Sequence, residues 1–239
     1  MRVEQQPAFV LHGRPYRETS LLLECLTRDH GRIGLVARGV RKEKSRLPRA
    51  LLQPLTPVSL GWTGSGELAT LTAAEARAEP LQLVGETALC GLYLNELMLR
   101  LTVRQDAYGD LFCVYEQTLE RLAGGDAVAW TLRRFERDLL EQLGYGLNAG
   151  LDAQAQLPVE ADGVYGYRHE LGAVRWKTAA DGPKVSGAAL LALAADRKPA
   201  EPDLPPLRRW MRAVIAAHLD GGELQAWKLM SDVTLRQRG

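Results

Sequence analysis

The hydrophobic pattern of this 239-residue chain changes period once, near Pro80. Upstream, short apolar runs alternate with polar residues and are cut by turn signals. "PAFVLHGRPY" meets a Gly-Arg-Pro break, "ETSLLLECLT" is closed by "RDHG", and "GRIGLVARGV" follows. In that third run Ile33, Leu35 and Ala37 share one face, and Arg32, Val36 and Arg38 the other, as strand geometry requires. "PVSLGWTG" puts Val58, Leu60 and Trp62 on one side, "TGSG" signals a hairpin, and "ELATLTAAEARAE" supplies a fifth strand. Five short strands, with an insertion between the third and fourth, predict a small closed Greek-key barrel of the OB type. Periodicity alone also admits another small barrel.

Downstream the spacing becomes helical. "LQLVGETALCGLYLNELMLRLTV" reads as a long, mostly buried helix in which Leu89, Leu92, Leu97 and Leu101 recur. "DAYGDLFCVYEQTLERLAGG" is a second helix, ended by Gly124-Gly125. "DAVAWTLRRFERDLLEQLGYG" is a third, with Asp126 as its cap, Gly144 as its left-handed stop, and Leu132, Phe135, Leu139 and Leu143 as its apolar stripe. Beyond residue 148 the signal weakens. "GVYGYRHELGAVRWK" reads as a β-hairpin, "VSGAALLALAADR" as a helix capped by Ser186, and "LRRWMRAVIAAHLDGG" as a helix after a proline-rich break. The fold class expected is α+β. A five-stranded OB-fold barrel over residues 1–80 precedes a mainly α-helical domain over 81–239, made of a helical bundle (81–148) and a small hairpin with C-terminal helices (149–239).

Composition removes several function classes. With 46% hydrophobic and 25% charged residues, the balance is that of a globular protein. No apolar run reaches the roughly 20 residues that span a bilayer, so no membrane association is expected. "MRVEQQPAFV" lacks the apolar centre of a signal peptide. Cys25, Cys90 and Cys113 sit in apolar surroundings without a C-x-x-C pair, and are expected reduced and buried in a cytoplasmic protein. His12, His30, His169 and His218 are far apart, so neither a metal site nor a cofactor is expected. There is no P-loop, "HELGA" lacks the second histidine of a zinc hydrolase, and "GSGE" reads as a hairpin turn. No catalytic residues are expected, and no enzyme.

One local feature stands above this background. Between Arg28 and Arg49 eight basic residues meet only Asp29 and Glu43, a local charge of +6 in a chain of net charge +1. A solvated loop is the plain reading. Three features favour a surface for phosphate. The charges are mainly arginine, whose fork fits phosphate. They continue a strand already carrying Arg32 and Arg38 on one face. The barrel type commonly binds single-stranded nucleic acid. The candidate DNA contacts are Arg32, Arg38, Arg41, Lys42, Lys44, Arg46 and Arg49. Aromatics nearby are few (Phe9, Tyr16, Trp62), so base stacking is a minor term and binding should fade with salt. The competing class is a protein adaptor whose basic barrel surface meets an acidic partner.

The order of these features resembles a known family. "AFVLHGRPYRETSLLLECLTRDHGRIGLVARGVRK", "LLQPLTPVSLGW" and "GELATLTAAEA" resemble the N-terminal domain of the bacterial RecO family of DNA repair proteins. "GLYLNELMLRL" and "LRRFERDLLEQLGYGLN" resemble its helical domain. The resemblance is strong over residues 7–148, and "GVYGYRHELGA" and the terminal helices follow in the expected order. It implies a recombination mediator that binds single- and double-stranded DNA and anneals complementary strands. It also implies work with RecR, and in some pathways RecF, to load RecA onto strands covered by single-strand-binding protein (SSB), in the cytoplasm at the nucleoid. Some relatives carry a four-cysteine zinc site in the C-terminal domain. Residues 149–239 contain no cysteine, so the resemblance is to the zinc-free branch. The family's helical domain also receives the acidic C-terminal tail of SSB, and the matching helix holds Arg133, Arg134 and Phe135. A cation facing the tail carboxylate beside an apolar pocket is the physical requirement. Phe135 reads first as core, and the arginine pair admits docking and plain solvation alike.

Overall fold

The computed structural model describes the chain except for residues 43, 44, 46, 220, 221 and 237–239; of residues 231–236 it describes the backbone alone. Strands β1 (Arg2–Tyr16), β2 (Ser20–Thr27), β3 (Gly31–Ala37), β4 (Pro57–Thr63) and β5 (Leu68–Ala76) close a barrel in the order β1-β2-β3-β5-β4. This is the OB topology. Closure depends on β1, whose 15 residues pair with β2 through one part and with β4 through the other. The one parallel contact of the barrel joins β3 to β5, with Gly34 opposite Leu68 and Val36 opposite Thr70. It demands glycine at position 34, where a Cβ would lie 2.8 Å from the Glu67 carbonyl oxygen. Ile33, Leu35, Ala37, Val58, Leu60 and Trp62 all enter the barrel core, as the two-residue period requires.

Helices α1 (Glu86–Leu101), α2 (Leu111–Ala123) and α6 (Gln225–Arg236) complete a compact unit with the barrel, formed by residues 1–124 and 224–239. Phe9 packs its ring against Phe112 (5.6 Å between centroids) and edge-on to Tyr115 (5.2 Å). Asn95 is buried on α1; its Nδ2 donates to the Leu11 carbonyl at 2.8 Å, and Tyr115 Oη donates to its Oδ1. Glu96 caps α6 from outside, accepting from the Gln225 and Ala226 amides at 2.8 Å each. Helix α1 begins at Glu86, later than the apolar run suggests. Its buried face is Cys90, Tyr93, Leu94, Leu97, Met98 and Leu101, whereas Leu92 is 44% exposed. The packing on β1, α2 and α6 chooses this face, and leucine spacing alone misplaces it. Cys25 and Cys90 are buried; Cys113, expected buried as well, is only partly so.

Residues 125–223 form the second unit. Helix α3 (Val128–Gln142) packs with α4 (Gly187–Ala194) and α5 (Leu204–Ala217). Two two-residue strands, β6 (Leu151–Asp152) and β7 (Leu157–Pro158), pair with each other. Strands β8 (Val164–Arg168), β9 (Gly172–Arg175) and β10 (Val185–Ser186) form a small sheet in the order β10-β8-β9. Ser186 caps α4 as expected, accepting from the Ala189 amide. Asp126 does not cap α3: the helix begins one residue later, after Ala127, with no side-chain cap. Gly144, at φ +79°, ends α3, and the Tyr145 amide reaches back to the Leu140 carbonyl. Asp181 fastens the sheet, accepting from the Lys177 and Thr178 amides and from Arg168 Nε. Those backbone donors, with Arg168 helping, hold its carboxyl at a pKa of about 2. Among the described residues no helix is long and apolar enough to cross a membrane, and no three His, Cys, Asp or Glu side chains gather as metal ligands.

Candidate nucleic-acid interface

The chain leaving β3 is stitched to the turn between β1 and β2. The Arg41 amide donates to the Thr19 carbonyl (3.0 Å), and Arg41 Nη1 to the Glu18 carbonyl (3.3 Å). The Lys42 amide closes a turn on the Gly39 carbonyl (3.1 Å). Two stretches of sequence therefore bring their charges to one end of the barrel. Between them lies an open groove of about 610 Å³, lined by Tyr16, Arg17, Thr19, Ser20, Val36, Arg38, Gly39, Lys42 and residues 68–70. No carboxylate is among these lining residues. Arg38, Arg41 and Lys42 are exposed, and so is Arg49, at the start of a 3-10 turn (Arg49–Leu52) before β4. Lys44 and Arg46 lie outside the described residues.

Arg17 belongs to this surface although its place in the sequence does not announce it. It sits in the β1–β2 turn at φ +52°, with its guanidinium carbon 5.3 Å from the centre of the Tyr16 ring. The charge run around residue 40 draws the eye away from a single arginine more than twenty positions earlier. The signal present was "YRET", an arginine beside an aromatic at a strand end.

Arg32 stands apart from the group. Its Nη1 donates to Glu24 Oε2 (2.9 Å), its Nε to Thr102 Oγ1 (3.2 Å) and its Nη2 to the Thr102 carbonyl (2.7 Å). Arg104 binds the same carboxylate, donating from Nε to Glu24 Oε2 at 3.2 Å and from Nη2 to Oε1. The Glu24 hydrogen bond raises the Arg104 guanidinium further above its ordinary range. Arg32 thus ties the barrel to the segment after α1, with its charge shared against Glu24. The three aromatics expected near the basic run also separate. Phe9 and Trp62 are buried, and Tyr16 alone borders the groove.

Comparison with known proteins settles the lineage. Residues 1–79 match the family model described as "Recombination protein O N terminal", and residues 83–226 match "Recombination protein O C terminal". The chain is 44% identical over 241 residues to the DNA repair protein RecO of Xanthomonas oryzae pv. oryzae (strain PXO99A), covering 99% of this chain and 100% of that protein. It is 44% identical over 240 residues to the DNA repair protein RecO of Stenotrophomonas maltophilia (strain K279a), with 99% and 100% covered. The chain belongs to the RecO family. It is a RecO-family DNA repair protein with an OB-type N-terminal barrel.

In this RecO-family chain the helix carrying Arg133, Arg134 and Phe135 is α3, and it places the three differently. Phe135 is closed within the second unit at 1% exposure. Arg133 is buried as well, its Nε donating to Glu136 Oε2 at 2.6 Å and its Nη2 to Oε1. Both side chains of that pair lie below the surface, whereas sequence spacing puts Arg133 beside or opposite the apolar stripe. Arg134 reaches the surface and donates to Asp196. Arg137 joins the same aspartate (2.9 Å) and also holds Asp138 and the Leu193 carbonyl. The α3 arginines therefore form one buried pair and one cluster on Asp196 in which Arg137 is buried and Arg134 reaches the surface.

Proposed function

We propose that this chain is a recombination mediator that binds DNA through phosphate contacts at the basic end of its barrel. The observation that carries the reading is the groove itself, where Arg17, Arg38 and Lys42 meet from separate stretches of chain with no carboxylate among the described lining residues. Arg41, Arg49, Lys44 and Arg46 extend the same charge run. Arginine forks and lysine points around an open channel suit a flexible strand's phosphates and leave its sequence largely unread. Neutralising phosphates on two strands lowers their repulsion, and base pairing then supplies the drive for annealing without nucleotide hydrolysis. Family membership extends the reading to partnership with RecR, and in some pathways RecF, in loading RecA onto SSB-covered strands. The SSB tail is assigned to α3, with Arg134 as the cation at the surface and Arg133 and Phe135 shaping the helix beneath it.

The test is fluorescence anisotropy of a labelled single strand across salt. If about four phosphates are neutralised, log K against log salt slopes at about −3. Replacing Arg38, Arg41, Lys42 and Arg49 together with alanine should flatten the slope and weaken binding at low salt. Affinity indifferent to salt, or a quadruple variant that binds normally, would overturn the reading and favour a protein partner.

A further inference from the structure

We infer that the barrel carries a second pocket, for one unpaired nucleobase, next to the basic groove along the β3–β5 seam and sharing Ala69 with it, with His30 as its stacking face. The inference rests on the DNA-binding reading above. The cavity measures about 280 Å³ and is walled by Asp29, His30, Trp62, the Gly64–Gly66 turn and Gln105, with Ile33 and Ala69 beneath. Its size is at the low end for small-molecule sites, room for a single base and too little for a base pair.

Its chemistry differs from that of the groove. Among the described residues no arginine or lysine lines it, and the backbone amine of Met1 is the one cation at its rim, so it lacks the forked donors of the groove. It offers instead a flat ring and hydrogen-bonding edges. The His30 ring stands edge-on to the Trp62 indole, centroids 5.3 Å apart and planes at 83°. Trp62 is 4% exposed and fixed in the core, so it braces His30, which is only partly buried and lines the cavity. A ring already held in place loses little rotational freedom when a base stacks on it. Asp29 accepts from Gln6 Nε2 through Oδ2 (3.0 Å), which leaves Oδ1 for an exocyclic amine. Gln105 ties down the opposite wall by donating to the Gly66 carbonyl.

Position links the two sites. Ile33, Gly34 and Ala69 border the pocket, while Val36, Arg38 and residues 68–70 border the groove, so both open on the same parallel β3–β5 pair. From Gly34 to Arg38 is about 13 Å of strand. A single strand held by its phosphates at the groove would lay a base into the pocket, and a paired base would be withheld from it. Stacking, minor by the count of aromatics in the sequence, then contributes through a histidine.

Two labelled single strands of equal length and charge test this, one of mixed pyrimidines and one with abasic tetrahydrofuran residues throughout. The wild-type chain should bind the pyrimidine strand about five- to tenfold more tightly. His30→Ala should bring that strand down to the affinity of the abasic one and leave the abasic affinity unchanged, which also reports that the variant is folded. His30→Phe should restore the difference. Equal wild-type affinity for both strands would overturn the pocket and leave phosphate binding standing. Undiminished preference in His30→Ala would overturn it too, since the base would then be read elsewhere. Failure of the wild-type chain to bind either strand at low salt would remove the DNA reading, and this inference with it.

Discussion

Glu24 on β2 and Arg32 on β3 form an ion pair at 2.9 Å in which each side chain is only 14% exposed. The pair engages Arg32, one of the candidate cations of the proposed phosphate surface, as a strut between β2, β3 and Thr102. Arg32→Ala should therefore lower stability by about 1–2 kcal/mol, since Glu24 keeps Arg104 but the Thr102 contacts are lost. The salt slope for DNA should stay at its wild-type value. By contrast, Arg38→Ala or Lys42→Ala should each reduce it by about 0.7. Thermal melts paired with salt titrations separate the two behaviours.

Asn95 is 2% exposed and fastens β1 and α2 to α1 through its two amide atoms. Burial pushes the Tyr115 phenol far above its ordinary range, so it remains a neutral donor at any working pH. Asn95→Ala withdraws the donor from the Leu11 carbonyl and opens a void. The expected cost is about 2–3 kcal/mol, read as a lower urea midpoint. Asn95→Leu should not recover it, because the carbonyl still lacks its donor.

On α3, Arg134 and Asp196 occupy each other at the surface. If the proposed tail site is correct, an acidic tail peptide competes with Asp196 for that cation. Asp196→Asn should tighten binding of a labelled SSB tail peptide, and Arg134→Ala should weaken it, each by roughly two- to tenfold for a largely surface charge. Arg133→Ala should act differently. Taking one partner from a buried pair costs about 3–5 kcal/mol, so the loss should appear in the melting curve.

His218 stacks on Tyr145 (4.1 Å between ring centres), lies 3.4 Å from the Tyr167 hydroxyl and faces His169 edge-on. Burial first, and the charge of His169 second, hold its pKa below the ordinary histidine value. The unfolded chain then takes up a proton that the native state resists. Stability from this group is complete above about pH 6.5 and falls as pH drops from there toward the lower native value. Melting temperatures from pH 8 to 5 should show this fall. His218→Gln should lessen it, with the difference between the two curves opening below neutrality.

The two-residue alternation in the first 76 residues was enough to specify five strands and which side chains enter the barrel, because pleating leaves each residue only two faces. The existence of α1 to α5, Ser186 as a cap and Gly144 as a stop were legible for the same reason, since they follow local rules of backbone geometry, whereas α6 was not legible in the sequence. What needed the tertiary structure was every relation between distant residues. Charge density along the chain marks Arg38, Arg41 and Lys42, but only the β1–β2 turn folding against them adds Arg17. Composition counts Arg32 as a cation for phosphate, while Glu24 and Thr102 claim it across β2 and the end of α1. Spacing sets Arg133 beside a stripe, and the packing of α3 against α4 and α5 buries it with Glu136. Periodicity is written into neighbours along the chain, whereas the fate of a charge depends on which dielectric and which counter-charge the fold brings to it.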